Sequence, residues 1–121
     1  MDVLRRLPEK MRKTYFTFTV VLNEDEIVGI ETGDISDKNY GVALDIGTTT
    51  MVGYLLDLNS GKQRAVASRS NPQKSYGDNV VARVNYANMN RDSLDYLDER
   101  IVSCVNDIIV DLVKNTEIDK R

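Results

Sequence analysis

The run from Tyr40 to Thr50 restricts what this chain can fold into more than any other part of it. Val42-Ala43-Leu44-Asp45-Ile46 is apolar at every position except Asp45, the pattern of a strand expected to be buried on both faces. Gly47-Thr48-Thr49-Thr50 turns the chain, and Met51 to Leu58 returns as a second strand. Asn59-Ser60-Gly61-Lys62 makes another tight turn, after which Gln63 to Arg69 forms a third strand. This is an antiparallel meander, and Asn71-Pro72-Gln73 ends it because proline cannot continue a hydrogen-bonded ladder.

The flanking segments follow from the same patterning. Asp2 to Lys13 is charged and helical in character, interrupted by Pro8. In Thr14 to Leu22 the residues Phe16, Phe18, Val20 and Leu22 alternate onto one face of a strand. Asn23 to Glu26 is a turn, and Ile27 to Ile30 is the returning strand of a β-hairpin. Thr32 to Asn39 is polar and reads as a linker, so a domain boundary is placed there. Beyond the meander, Asp78 to Tyr86 forms a short helix and a long helix starts near Asp92-Ser93. Leu94, Leu97, Ile101, Val105, Ile108 and Leu112 make its apolar stripe, with Cys104 as a small core residue beside it. The fold class is therefore mixed α/β: three antiparallel strands followed by helices, preceded by a β-hairpin appendage.

The chemistry is concentrated at Asp45-Ile46-Gly47-Thr48-Thr49-Thr50. A glycine at the turn allows close backbone approach to phosphate. Successive backbone N–H groups form an anion-binding concavity, and threonine hydroxyls add adaptable donors. A carboxylate at the end of the strand repels phosphate directly but can hold magnesium through water. The alternative is a polar hairpin whose glycine serves only the turn. An aspartate buried in an apolar strand favours the phosphate reading, because such burial is costly unless the charge is paired or metal-linked.

Composition excludes several other classes. The 121 residues carry a net charge of −3 from interspersed charges, without the concentrated Lys/Arg footprint of a nucleic-acid binder. One cysteine and no histidine rule out an internal disulfide, a zinc or iron–sulfur centre and a histidine-based triad. No apolar run reaches membrane-spanning length and the N-terminus lacks a signal-peptide core. These features point to a soluble, reducing, cytoplasmic setting.

Tyr40 to Thr50 resembles the opening of the actin-like domain in reductive activators of corrinoid proteins. Asn71-Pro72-Gln73, Ser75-Tyr76-Gly77-Asp78 and Val80 to Val84 resemble the next block of that family. The resemblance extends from about Leu4 to Val113 and implies a ribonuclease-H-like, actin-like ATPase half-domain over residues 40–121. Residues 1–35 resemble the end of the linker or middle domain. The family passes an electron to cob(II)alamin on a corrinoid protein, restoring cob(I)alamin for methyl transfer, with ATP driving the uphill step. It implies ATP and Mg2+ as cofactors, and a [2Fe-2S] cluster in an upstream domain whose cysteines this chain lacks. By the same resemblance Asp45 lies near magnesium, and Gly47, Thr48 and Thr49 bracket the β- and γ-phosphates, with Thr50 completing the hairpin and starting the return strand. Asn71, Gln73 and Tyr76 are candidates for the corrinoid-protein contact surface, with a loop ending the strand as the plainer reading.

On this reading the chain is part of a larger activator, with neither nucleic acid nor membrane as a partner. It is expected to self-associate, or form a homodimer, through the apolar surface of its sheet and long helix. Competing readings are a fragment of an actin-superfamily small-molecule kinase and a non-catalytic docking module. A single phosphate hairpin leaves nucleotide unenclosed, and phosphoryl transfer depends on positioning from both sides. The isolated chain is therefore expected to have negligible ATPase activity; turnover above background that Asp45→Ala abolishes would contradict this.

Overall fold

The computed structural model describes residues 15–114 together with Pro8, Met11, Arg12 and Thr116. The chain divides into two compact units, Met1–Asn39 and Tyr40–Arg121.

In the first unit, Pro8, Met11 and Arg12 are helical, and the remainder of the Asp2–Lys13 helix lies outside the described residues. Strand β1 (Phe18–Asn23) pairs antiparallel with β2 (Glu26–Thr32). β1 starts later than the sequence pattern suggests, because Tyr15 and Phe16 adopt positive φ values of 49° and 64° and belong to a turn. Phe16 therefore does not share the face of Phe18. A bulge at Val21/Leu22 shifts the register. The linker is ordered by Thr19, whose hydroxyl donates to the Gly33 carbonyl (2.8 Å) and accepts from the Ile35 N–H (2.9 Å).

The second unit is a three-stranded antiparallel sheet in the order β3 (Tyr40–Ile46), β4 (Thr50–Asp57), β5 (Lys62–Ser70). A 3-10 turn (Pro72–Tyr76) follows, then helix α1 (Val80–Ala87) and the 24-residue helix α2 (Arg91–Lys114). The Asp57 side chain accepts from the N–H groups of Asn59 and Ser60, closing the β4–β5 turn. These bonds hold the carboxyl below its ordinary pKa. The register passes from Leu55↔Ala65 to Leu56↔Gln63, which leaves Arg64 as an extra residue in a bulge.

α2 lies on the face of the sheet that carries Met51, Leu55, Ala65 and Ala67, and these pack with Cys104, Ile108 and Leu112. The approach is close because β4 presents Gly53 there. A Cβ at Gly53 would run into Ile108 Cγ2 and come within 3.2 Å of Leu112 Cδ1. Burial pushes the Cys104 thiol above its ordinary pKa, as suits a packed core residue rather than a reactive thiolate. At the margin of this core Arg69 forks onto Asp111 (2.6 and 3.0 Å). The hydrogen bond lowers the pKa of Asp111 and raises that of Arg69.

Two expectations about burial are corrected. Val42 to Ile46 is exposed rather than enclosed on both faces, because among the described residues β3 is an edge of the sheet and α2 covers β4 and β5. Asp45 is consequently exposed, and its burial no longer argues for a ligand. On α2, Leu94 is 62% exposed, whereas Ser93, Leu97, Cys104, Ile108 and Leu112 are buried. The inward line passes through Ser93 and Cys104, so hydrophobicity alone misplaces its start. The short helix begins at Val80 rather than Asp78, since Asn79 is its cap and accepts from the Ala82 N–H (2.8 Å).

Gly53→Ala should lower the unfolding free energy by about 1–3 kcal/mol in urea titration, through overpacking against α2. Combined with Ile108→Ala, its loss should be smaller than the sum of the two single losses. Additive losses would mean that the glycine is not what admits the helix.

Candidate functional site

The hairpin between β3 and β4 is the site that the fold builds most deliberately. Ile46 lies opposite Met51, and the Gly47 N–H donates to the Thr50 carbonyl at 3.0 Å. A Cβ on Gly47 would stand 2.7 Å from that same carbonyl oxygen, so any larger residue would spread the hairpin.

The next feature is not visible in the sequence pattern. All three carbonyls from Gly47 to Thr49 are taken up by residues outside the hairpin. Asn71 Nδ2 donates to Gly47 O at 2.8 Å, and the Asn71 backbone N–H donates to Thr49 O at 2.8 Å. Arg83 Nη2 donates to Thr48 O at 2.5 Å. In a trans peptide the carbonyl of one residue and the N–H of the next point in opposite directions, and no cis bond is present among the described residues. The N–H groups of Thr48 and Thr50 are thus turned away from Asn71, and that of Thr49 is turned away from Arg83. Among the described residues, neither Thr48 N–H nor Thr49 N–H donates to any group.

The clamp is buried. Asn71 is 2% exposed and Arg83 8% exposed. Asn71 Oδ1 also accepts from the Gln73 N–H (2.9 Å), starting the 3-10 turn, where Pro72 loses nothing by lacking a donor. Arg83 Nε donates to Gly77 O at 2.9 Å, so one guanidinium ties the end of that turn to the hairpin. Val80, Val81 and Val84 on the same short helix are exposed. Helix α1 therefore turns its cation inward and its valines outward, the reverse of the usual amphipathic rule.

The other sequence candidates fall as follows. Asp45 is exposed on the sheet face opposite α2, across from Val52, and pairs with no group among the described residues. Thr48, Thr49 and Thr50 are exposed and Gly47 is half-buried. Asn71 is not a surface residue, which corrects its reading as a partner contact. Gln73 is half-buried, with Nε2 donating to Leu97 O at 3.1 Å. Tyr76 packs against Tyr86, ring centres 4.9 Å apart. Sequence reasoning missed Arg83 altogether. A single arginine among valines gives no signal that it points inward; only the fold reveals that.

The residues present fit a polyphosphate with magnesium. The hairpin offers outward N–H groups, hydroxyls and a glycine with no room for a side chain. Among the described residues no group of three or more His, Cys, Asp or Glu could hold a metal ion. Asp45 would then act as a lone carboxylate completed by water and phosphate, as magnesium commonly accepts. An iron–sulfur cluster does not fit, since the only cysteine is the buried Cys104. Another concavity, about 380 Å³, is lined by Arg69, Arg100, Cys104 and Asp107 among others. Its Arg69 is already engaged by Asp107 and Asp111. No helix among the described residues is long and apolar enough to cross a membrane.

Residues 40–121 match the family described as the RACo middle region. The corrinoid activation enzyme RamQ of Eubacterium limosum is 33% identical over 108 residues, covering 88% of this chain and 18% of that protein. A solved structure of a reductive activator for corrinoid, iron–sulfur protein superposes with a TM-score of 0.82 at 33% identity, covering 99% of this chain and 20% of that one. The chain thus spans about a fifth of the length of these relatives.

Asn71→Ala should cost about 1–3 kcal/mol in chemical unfolding, because it leaves buried groups at Gly47 and Gln73 unpaired. Asn71→Asp, which keeps the acceptor but removes the donor, should lose at least as much. A loss below about 0.5 kcal/mol for both, the range of ordinary surface changes, would mean that Asn71 does not hold the hairpin.

Proposed function

The chain belongs to the RACo middle-region family of corrinoid reductive activators, and from this we propose that it supplies the first phosphate-binding hairpin of an ATP-dependent activator acting on a corrinoid protein. In this reading the mixed α/β unit is the opening of an actin-like, ribonuclease-H-like ATPase domain, and residues 1–35 close the preceding segment. The parent protein works in the cytoplasm and returns the cobalt of its corrinoid partner to the cob(I)alamin state. ATP supplies the driving force for that uphill electron transfer. The iron–sulfur cluster that would donate the electron has no ligands in this chain and belongs elsewhere in the parent.

The observation that carries this reading is the treatment of the hairpin carbonyls. A turn that served only to reverse the chain would need little beyond its own cross-strand bond, whereas here three successive carbonyls are held by a buried asparagine and a buried arginine. Holding them turns the N–H groups of Thr48, Thr49 and Thr50 away from the clamp and leaves those of Thr48 and Thr49 available to phosphate oxygens. The hydroxyls of the same threonines supply further donors. Asp45 lies beyond the hairpin on an open face, where its carboxylate would orient the water shell of magnesium. Half-buried Gln73 and Tyr76 lie in the turn that the clamp ties to the hairpin, and any contact they make with the corrinoid protein would be mechanically linked to the phosphate site.

Calorimetric titration of ATP into the intact parent protein, with and without magnesium, tests the role of Asp45. Asp45→Asn should weaken magnesium-dependent binding by roughly tenfold or more, the size of a lost charge-assisted interaction. Binding without magnesium, and the melting temperature, should be little changed because the side chain is exposed. Unchanged magnesium-dependent affinity alongside a lowered melting temperature would sink the metal role.

A further inference from the structure

We propose that Arg83 is the positioning residue of the phosphate hairpin, acting both as a two-armed brace and as a fixed positive charge behind the loop. The inference rests on the phosphate reading for its ligand, though not for its mechanical part. The brace follows from geometry. Nη2 donates to Thr48 O in the hairpin and Nε donates to Gly77 O at the end of the 3-10 turn. One planar guanidinium therefore fixes the spacing between two segments 29 residues apart in sequence, at Thr48 and Gly77. A lysine offers a point charge on a flexible stem and has no such fork.

Arg83 is 8% exposed, and no carboxylate pairs with it among the described residues. A buried cation without a counter-ion is costly. Carbonyl dipoles from Thr48 and Gly77 offset part of that cost, and an anion bound to the adjacent hairpin would offset more. Arg69 is the useful contrast, since it reaches solvent and is met by Asp107 and Asp111. Of these two arginines, the fold leaves unneutralised the one that lies behind the hairpin. The ligand class that fits is a multiply charged phosphate, recognised by outward N–H groups in front and by the guanidinium behind. Arg83 does not touch it; its effect passes through the carbonyl of Thr48 and through the field.

The test uses the 15N-labelled 121-residue chain, with Arg83→Ala and Arg83→Lys. The first readout is the heteronuclear NOE of the Thr48 and Thr49 amides without ligand, which reports nanosecond mobility. The second is the Kd for inorganic tripolyphosphate. Both variants should loosen Thr48 and Thr49 while the α2 amides stay as in the wild type. Arg83→Ala should weaken tripolyphosphate by roughly tenfold or more, and Arg83→Lys should recover part of that affinity because it keeps the charge. If Arg83→Ala does not fold, Arg83→Gln, which removes the charge but keeps a side-chain donor, decides on the same two readouts. Rigid hairpin amides in a folded variant would overturn the brace, and equal affinity in a wild type that binds would overturn the charge role. Should the wild-type chain bind no tripolyphosphate, the phosphate reading and the charge role fail together. The mobility comparison still decides the brace on its own.

Discussion

The second unit depends on one missing side chain. Helix α2 can lie against β4 only because Gly53 leaves room for Ile108 and Leu112. From that contact follow the buried cluster of Met51, Leu55, Cys104, Ile108 and Leu112 and the arrangement of the sheet under the helix. Glycine weakens a strand by roughly 0.5–1 kcal/mol relative to alanine. Burying two aliphatic side chains against the backbone returns more than this, at about 1.5–3 kcal/mol for each one fully buried. Dispersion across the tight contact adds to the gain. With the centre of the sheet secured, the β3–β4 hairpin can be built by polar contacts alone.

Those contacts bring distant parts of the sequence into one device. Asn71 follows the last strand, Arg83 lies on a short helix, and both reach back to a turn that ends at Thr50. Asn71 stops β5, caps the 3-10 turn and holds two hairpin carbonyls. Buried polar networks rigidify when every member is satisfied, and no buried side-chain nitrogen or oxygen among the described residues lacks a partner. A rigid hairpin is what a phosphate site needs, because donors already held in place lose little entropy when the ligand arrives.

Local patterning made most of the architecture readable. Alternation and turn residues located the meander, and the 3.6-residue period located α2 from Leu97 onward. The Gly47 turn was legible because glycine beside threonines has a direct physical use. The errors have physical causes. Val42 to Ile46 reads as a buried strand because lateral position in a sheet is not encoded in a local window, and among the described residues β3 is an edge. Tyr15 and Phe16 match strand propensity, yet their positive φ values place them in a turn. Asn71 appeared to be a loop residue open to partners because its burial comes from the hairpin, more than twenty positions away. Arg83 was invisible for the same reason, since valines around an arginine suggest the opposite orientation of α1.

The central claim is that the hairpin presents its N–H groups to phosphate. It is tested most directly by following the amide resonances of the 15N-labelled wild-type chain during titration with magnesium and a non-hydrolysable ATP analogue. The account predicts that Thr48, Thr49 and Thr50 shift together and saturably, with smaller changes at Asp45 and at the Arg83 side chain, while the α2 amides near Arg69 and Arg100 remain still. Shifts centred on the Arg69–Asp107 concavity, or no saturable change at the three threonines, would contradict it.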